Sequence, residues 1–275
     1  MQKNKILSFI LLVAISITSC SEYQKVLNKG TVEDQYKMAT ELYEAQKYSK
    51  AIQLFEKITP SYRGKPQMER IQYMVAQAHY NTQQYSLAAY YFDKFVKNYP
   101  KSSKLEEASY LSAHSYYLAS PVYSLDQKDT NEAINALQNF LYKFPDSEHS
   151  TDANKNIKEL TFKLETKSFE IAKQYYHTED YISAIQAFDN LLEDYLGTSY
   201  KEDAYYLKFK SSYELAVNSF FIKKEQRIKD AIKAHEKFKR NFPNSEYLKE
   251  TEQLLINLNE EQNSLSVIKT QTNGI

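Results

Sequence analysis

The chain repeats itself, and that limits what it can fold into more than any other feature. Aligned on Ala51, Ala88, Ala133, Ala184 and Ala231, it carries Phe55, Phe92, Leu137, Phe188 and His235 four residues on. Seven residues on stand Ile58, Phe95, Phe140, Leu191 and Phe238. Offsets of four and seven put these side chains on one face of an α-helix. An aromatic stands eleven residues after every reference alanine, as Tyr62, Tyr99, Phe144, Tyr195 and Phe242, and proline follows three of them at Pro100, Pro145 and Pro243. Proline stops a helix, and the residue ahead of it is driven out of helical geometry.

A partner helix lies upstream of each. Ala39, Ala76 and Ala172 sit twelve residues before the next reference alanine, with Tyr36, Tyr73 and Phe169 three residues earlier and Tyr43, Tyr80 and Tyr176 four later. The third and fifth units keep the pattern as Tyr110, Ala113, Tyr117 and as Tyr206, Phe209, Tyr213. Their connections to the second helix are longer, by eight residues around Pro121–Asp129 and by ten around Phe220–Arg227. The arrangement resembles the tetratricopeptide repeat, in which a small residue in each helix lets the pair cross closely and aromatics fill the space between pairs. The early tryptophan usual in such repeats is replaced by Gln35, Gln72 and Ser109, with a tyrosine one residue on.

No single pair can bury its apolar face, so pairs must stack. The expectation is an all-α, right-handed helical solenoid of about five helix pairs over residues 32–267, closed by a capping helix from about Ser245 to Val267. That helix is apolar at Leu248, Leu254, Leu255, Leu258 and Leu265 and polar elsewhere. Residues 268–275 read as a tail. Only 4 Gly and 6 Pro in 275 residues suit helices joined by short loops rather than a turn-rich β fold. Ser102, Ser147 and Ser245, two residues after the prolines, read as N-caps, with Glu106, Glu107, Asp152 and Glu250 near the helix starts.

The first twenty residues are of another kind. Lys3 and Lys5 precede an apolar run from Ile6 to Ile17, then Thr18-Ser19-Cys20, the layout of a secretory signal. The run is too short to span a bilayer, for which about 20 apolar residues are needed. Residues 17–20 resemble the bacterial lipobox, and the single cysteine of the chain falls at its end. Cys20 is therefore expected to be acylated and to become the first residue of the mature protein, anchored by its acyl chains. Residues 20–31 are expected to form the lipidated tether. Ser21 stands where an aspartate would signal inner-membrane retention in some bacteria, which favours the outer membrane, with the body in the periplasm.

Chemistry is sparse. Lys plus Arg and Asp plus Glu both total 35, so no basic footprint for nucleic acid exists. The five histidines show no HExxH spacing, one cysteine completes no zinc site, and four glycines build no phosphate loop. No metal, cofactor or catalytic residue is expected. His79 and His235 fall on repeat positions otherwise filled by apolar or aromatic residues and read as packing. The tyrosines are the richer signal, 25 of them against no tryptophan. Tyr36 and Tyr43, Tyr73 and Tyr80, and Tyr110 and Tyr117 are spaced by seven within the first helix of each unit. They serve either as packing between helices or as a groove for an extended peptide, since tyrosine offers an apolar face with a hydroxyl handle.

Over the whole mature chain the sequence resembles the BamD family, the lipoprotein subunit of the outer-membrane β-barrel assembly machine. The residues that carry the likeness are Cys20-Ser-Glu-Tyr-Gln-Lys-Val-Leu27, Leu87-Ala-Ala-Tyr-Tyr-Phe-Asp-Lys-Phe-Val-Lys-Asn-Tyr-Pro100 and Glu107-Ala-Ser-Tyr-Leu-Ser-Ala-His-Ser-Tyr-Tyr117. To these is added the stretch from Asp129-Thr-Asn-Glu-Ala-Ile to Phe144-Pro-Asp-Ser-Glu-His-Ser-Thr-Asp-Ala153, with an aspartate just before the second helix of the third repeat. Departures are Tyr62-Arg-Gly-Lys-Pro66 in place of a proline-rich turn and Tyr195-Leu-Gly197 in place of the fourth proline. The resemblance implies a non-catalytic scaffold. Its first repeats would hold targeting segments of unfolded outer-membrane proteins, and its last would dock a periplasmic domain of the barrel-forming insertase, BamA. Two other roles are compatible with a repeat-built lipoprotein: a cell-envelope organiser, and a glycan-binding uptake protein, the latter disfavoured by the lack of tryptophan.

Overall fold

A computed structural model describes residues 22–272. The signal segment 1–19, Cys20 and the last residues of the tail lie outside the described residues. Within them there are helices and no strands: α1 (Val32–Glu44), α2 (Tyr48–Tyr62), α3 (Gln67–Asn81), α4 (Tyr85–Asn98), α5 (Leu105–Ala119), α6 (Lys128–Lys143), α7 (Ser150–His177), α8 (Tyr181–Asp194), α9 (Lys201–Val217), α10 (Phe221–Asn241) and α11 (Leu248–Thr272). Residues 22–29 are helical too. None of these helices is long and apolar enough to cross a membrane.

The five pairs are α1–α2, α3–α4, α5–α6, the second half of α7 with α8, and α9–α10, followed by α11. Contacts divide the chain into two compact units. One runs to Pro121 and takes in Asp126–Leu160; the other is made of Val122–Leu125 and everything from Thr161 on. The boundary between the two units falls inside α7. In the first unit, Ala153 and Leu160 at the start of α7 bury against Leu137 and Phe140 of the third pair. In the second, Phe169 and Ala172 of the same helix pack with Ala184, Phe188 and Leu191 of α8.

The reference alanines lie in the buried interior of the pairs. Ala51, Ala88, Ala133, Ala184 and Ala231 are all fully buried, as are Ala39, Ala76 and Ala172 in the partner helices. A larger side chain at either contact would hold the pair apart, leaving a void along the crossing, and tight packing does not tolerate that. The side chains one and two turns on fill the space beside them: Phe55, Phe92, Leu137 and Phe188, then Ile58, Phe95, Phe140, Leu191 and Phe238, are buried. His79 and His235 are buried as well, stacked on Tyr91 and set edge-on to Phe209 respectively.

The aromatic stop is a recurrent C-cap. Tyr99, Phe144, Tyr195 and Phe242 share one backbone conformation, φ near −130°, and each donates its N–H to the residue four back. Tyr195 adopts it without a following proline, so the aromatic docking and not the proline sets the stop. The first repeat differs: Tyr62 is still helical, and the turn uses Gly64 at φ +79°. The serines after the prolines are not N-caps in the strict sense. Ser102, Ser147 and Ser245 each lie three residues ahead of the helix and accept from the N–H two residues on, at 3.1–3.2 Å. Thr198 makes the same turn in the fourth repeat.

The tight turns within the first, second and fourth pairs place Gln46, Gln83 and Glu179 at φ of 58°, 59° and 61°. There the 6→1 bonds Lys47 N–H to Leu42 O, Gln84 N–H to His79 O and Asp180 N–H to Tyr175 O close the helix ends. A left-handed conformation costs a non-glycine residue about 1 kcal/mol. Gln83→Gly is therefore expected to stabilise the protein by about 0.5–1 kcal/mol in urea unfolding, a gain that a neutral or destabilising result would refute. Phe188→Ala, which empties a fully buried site, should cost about 3–5 kcal/mol in the same measurement.

Candidate functional site

The six groove tyrosines fall into two rows. Tyr36, Tyr73 and Tyr110 lean on the second helix of their own pair. Tyr36 meets Phe55 and Tyr62 at 6.5 and 5.3 Å between ring centroids. Tyr73 meets Phe92 and Phe95 at 6.0 and 5.4 Å, and Tyr110 meets Phe140 at 5.5 Å. The other row reaches forward to the next repeat. Tyr43 donates its hydroxyl to Gln77 Oε1, Tyr80 bonds His114 Nδ1 at 2.8 Å, and Tyr117 donates to the Glu159 carboxylate at the start of α7. The seven-residue spacing thus puts a packing ring and an inter-repeat tie on each first helix.

Two of the six line an open pocket. Tyr43 and Tyr73, from α1 and α3, form with Met74 and Phe95 one wall of a 460 Å³ pocket in the first unit. Its rim carries both signs of charge: Glu44 and Glu69, Arg70, and Lys104 just before α5. Arg70 faces Glu44 at 4.0 Å, and the Lys104 ammonium stands 5.6 Å from the Tyr73 ring centroid while pairing with Glu107 at 2.7 Å. Tyr36, Tyr80, Tyr110 and Tyr117 are not part of this pocket.

Electrostatics keep the pocket's hydroxyls protonated. Burial, then the neighbouring Tyr48 and Glu107, push Tyr43 up to about 12. Burial, and after it Glu107, drive Tyr73 far above the ordinary tyrosine range. The Tyr73 hydroxyl is buried without a protein partner of good hydrogen-bond geometry. Burial also pushes the Glu107 carboxyl up, but hydrogen bonds from Lys104 and Tyr73 outweigh it and hold the group below its usual value. The Tyr73 hydroxyl thus leans on the Glu107 carboxylate without a well-aligned hydrogen bond, so an acceptor of better geometry can compete for it.

Two histidines that the spacing argument passed over complete the tyrosine rows. His114 stacks against Tyr110 and Tyr117, both at 5.5 Å, and His149 lies flat on Tyr110 at 4.0 Å. Burial lowers the His114 pKa, which keeps the imidazole neutral and able to take part in the Tyr80 bond. The signal was present: His114 lies four residues after Tyr110 and three before Tyr117, on the same helix face. Among the described residues no three His, Cys, Asp or Glu side chains lie together as a metal site would need.

The second unit offers a different surface. Phe220 and Ile222, at the turn into α10, are 92% and 93% exposed. Beside α9 and α10 lies a 340 Å³ pocket lined by Lys208, Arg227, Lys233 and Lys237 with Asp189 and Asp230. Lys208 pairs with Asp189, and Arg227 donates to Ser219 at 2.7 Å. The loop Val122–Leu125 is held to α7 by Lys167, whose ammonium reaches the Leu125 carbonyl at 2.7 Å, yet Val122 and Leu125 stay exposed.

Comparison with known proteins places the chain. Two similar solved structures are of a candidate kinesin light chain of Podosopora anserina with nearly identical TPR-like repeats. One is 15% identical, covering 87% of this chain and 96% of that one at a TM-score of 0.32. The other is 14% identical, covering 84% and 95% at 0.31. At such scores they add nothing to the fold, which rests on the helix pairs themselves. No curated protein matches the chain. A family model described as YfiO, outer membrane lipoprotein, matches residues 28–226, from just before α1 into α10. With most of its length matched and helix pairs throughout, the chain belongs to the YfiO family of BamD-like outer membrane lipoproteins, and it is a non-enzymatic scaffold.

Proposed function

We infer that the protein is an assembly factor for outer-membrane β-barrels. Acylated at Cys20, with its body in the periplasm, it holds extended segments of unfolded barrel precursors in the first repeats and docks the periplasmic domain of a BamA-like insertase with the last. The observation that carries the first half is the pocket at Tyr43 and Tyr73. An extended peptide presents alternating side chains and unpaired backbone amides. Met74, Phe95 and the tyrosine rings suit the apolar side chains. The protonated Tyr73 hydroxyl and the Gln77 amide suit the backbone, and the mixed rim charges suit a chain of no fixed sequence.

A fluorescent peptide copied from a barrel strand tests this by anisotropy. Arg70→Ala with Gln77→Glu removes the guanidinium and the amide donor while keeping an acceptor for the Tyr43 hydroxyl, and is expected to weaken binding about tenfold, equivalent to about 1.4 kcal/mol, with the helical circular dichroism unchanged. Undiminished affinity would remove the pocket from the reading.

The support for partner docking in the second unit is the pair of bare side chains Phe220 and Ile222 at the start of α10, a helix that also lines a basic-rimmed pocket. Exposed apolar clusters of this kind mark interaction sites. Phe220→Ser with Ile222→Ser disturbs no core contact, and co-purification of the barrel-forming subunit from membranes should fall to background. If the complex survives the change, docking lies elsewhere.

A further inference from the structure

Most of the segment read as the lipidated tether, from residue 22 on, packs against the body. Residues 22–29 are helical, and Tyr23 is only 5% exposed, set into the core of the first helix pair. Its hydroxyl donates to Gln53 Oε1 at 2.6 Å, and the Lys50 ammonium stands 5.0 Å from its ring centroid. The C-terminal end of this short helix is clamped from α1 and α2. Gln35, itself 5% exposed, donates its amide to the Val26 and Leu27 carbonyls at 3.1 Å each, and Lys57 donates to the Leu27 carbonyl. Helix ends leave carbonyls such as that of Leu27 without intrahelical partners, and here side chains of the first pair supply them. The Gly30 N–H closes on Val26 O at 2.9 Å, and a Cβ at Gly30 would stand 2.6 Å from that oxygen, so the exit from the helix into α1 is fixed by close approach.

We propose that this segment is a strap that holds the first helix pair directly against the lipid headgroup layer. The inference rests on acylation of Cys20. Only Ser21 separates Cys20 from residue 22. At about 3.5 Å per residue, the backbone from the acylated residue to the buried Tyr23 spans about 10 Å at most, less than the thickness of one helix with its side chains. A free tether of residues 20–31 would instead have allowed a random-coil reach of about 20 Å. The surface next to the anchor suits anionic headgroups. Lys25 and Lys29 are exposed on the strap, with Lys57 exposed on α2 beside it, and Glu22 is the one acid of the strap. Juxtamembrane lysines are drawn to such a surface within a Debye length. The membrane therefore sets the orientation of the first unit, and the strap is a second attachment besides the acyl chains.

The test uses full-length acylated protein in vesicles containing phosphatidylglycerol and a headgroup-nitroxide lipid. Cys20 is the one native cysteine, so a fluorophore can be placed singly at Lys25→Cys, Lys29→Cys or Tyr142→Cys, the last an 88% exposed site on α6. Quenching at 25 and 29 is expected to exceed that at 142 at least threefold. It should drop to the level at 142 when a twelve-residue Gly-Ser linker is inserted after Ser21. Equal quenching at all three sites, or quenching indifferent to the linker, overturns the strap. Mass spectrometry of the N-terminal peptide separates the two readings: an acyl mass with failed quenching sinks the strap alone, whereas an unmodified Cys20 sinks the anchor and the strap with it. Hydrogen exchange on the Cys20→Ser protein in solution isolates the docking step. Slow exchange of amides 26–30 supports it, and exchange at the free-peptide rate overturns the inference even for an acylated protein.

Discussion

Everything in this molecule depends on how closely two helices can approach at an alanine. The five reference alanines, with Ala39, Ala76 and Ala172 of the partner helices, are without solvent exposure, and a side chain this small lets the helices of a pair pack closely. That proximity draws the phenylalanines and leucines one and two turns away into the gap beside the crossing, where each buried large side chain contributes about 1.5–3 kcal/mol. The faces pointing away from the crossing are still apolar. They are covered only by the next pair, so stability comes from nearest-neighbour stacking rather than from one central core. The separate hydrophobic clusters along the chain are the direct expression of this.

Tyrosine does two jobs in this arrangement because its ring and its hydroxyl can be satisfied by different neighbours. In the row at 36, 73 and 110 the ring is anchored within the pair. In the row at 43, 80 and 117 the hydroxyl ties one repeat to the next, through Gln77, His114 and Glu159. The last repeats use the same device, with Tyr206 donating to Glu250 at 2.8 Å and Tyr247 to Asp203 at 3.0 Å. A charged acceptor makes such bonds strong. Tyr73 has only a poorly aligned acceptor of this kind, the Glu107 carboxylate, and it lies at an open pocket.

The terminal features obey the same rule that no backbone group is buried unmatched. Thr31 and Asp34 form a capping box at the start of α1, each side chain satisfying the other's backbone N–H at 3.1 Å. Gln35, one residue further, turns back to the carbonyls of 26 and 27. The position that carries tryptophan in most repeats of this kind is thus occupied by a residue whose work is to fasten the N-terminal segment.

The sequence alone determined the number of pairs, the buried alanines and the aromatic stops, because each is a local periodicity of one helix. It also marked all six tyrosines by spacing. It could not separate packing from pocket among them, since a seven-residue offset puts both rows on one face, and the partner that decides each role lies 19 to 42 residues away. The left-handed Gln46, Gln83 and Glu179 were illegible for a similar reason: the turn is enforced by the pairs on either side and not by a glycine. Tertiary structure alone decided that α7 serves two units, that His114 and His149 join the tyrosines, and that residues 22–30 are docked rather than free. Each of these depends on what a side chain meets after the helices have stacked, and no periodicity along the chain encodes that meeting.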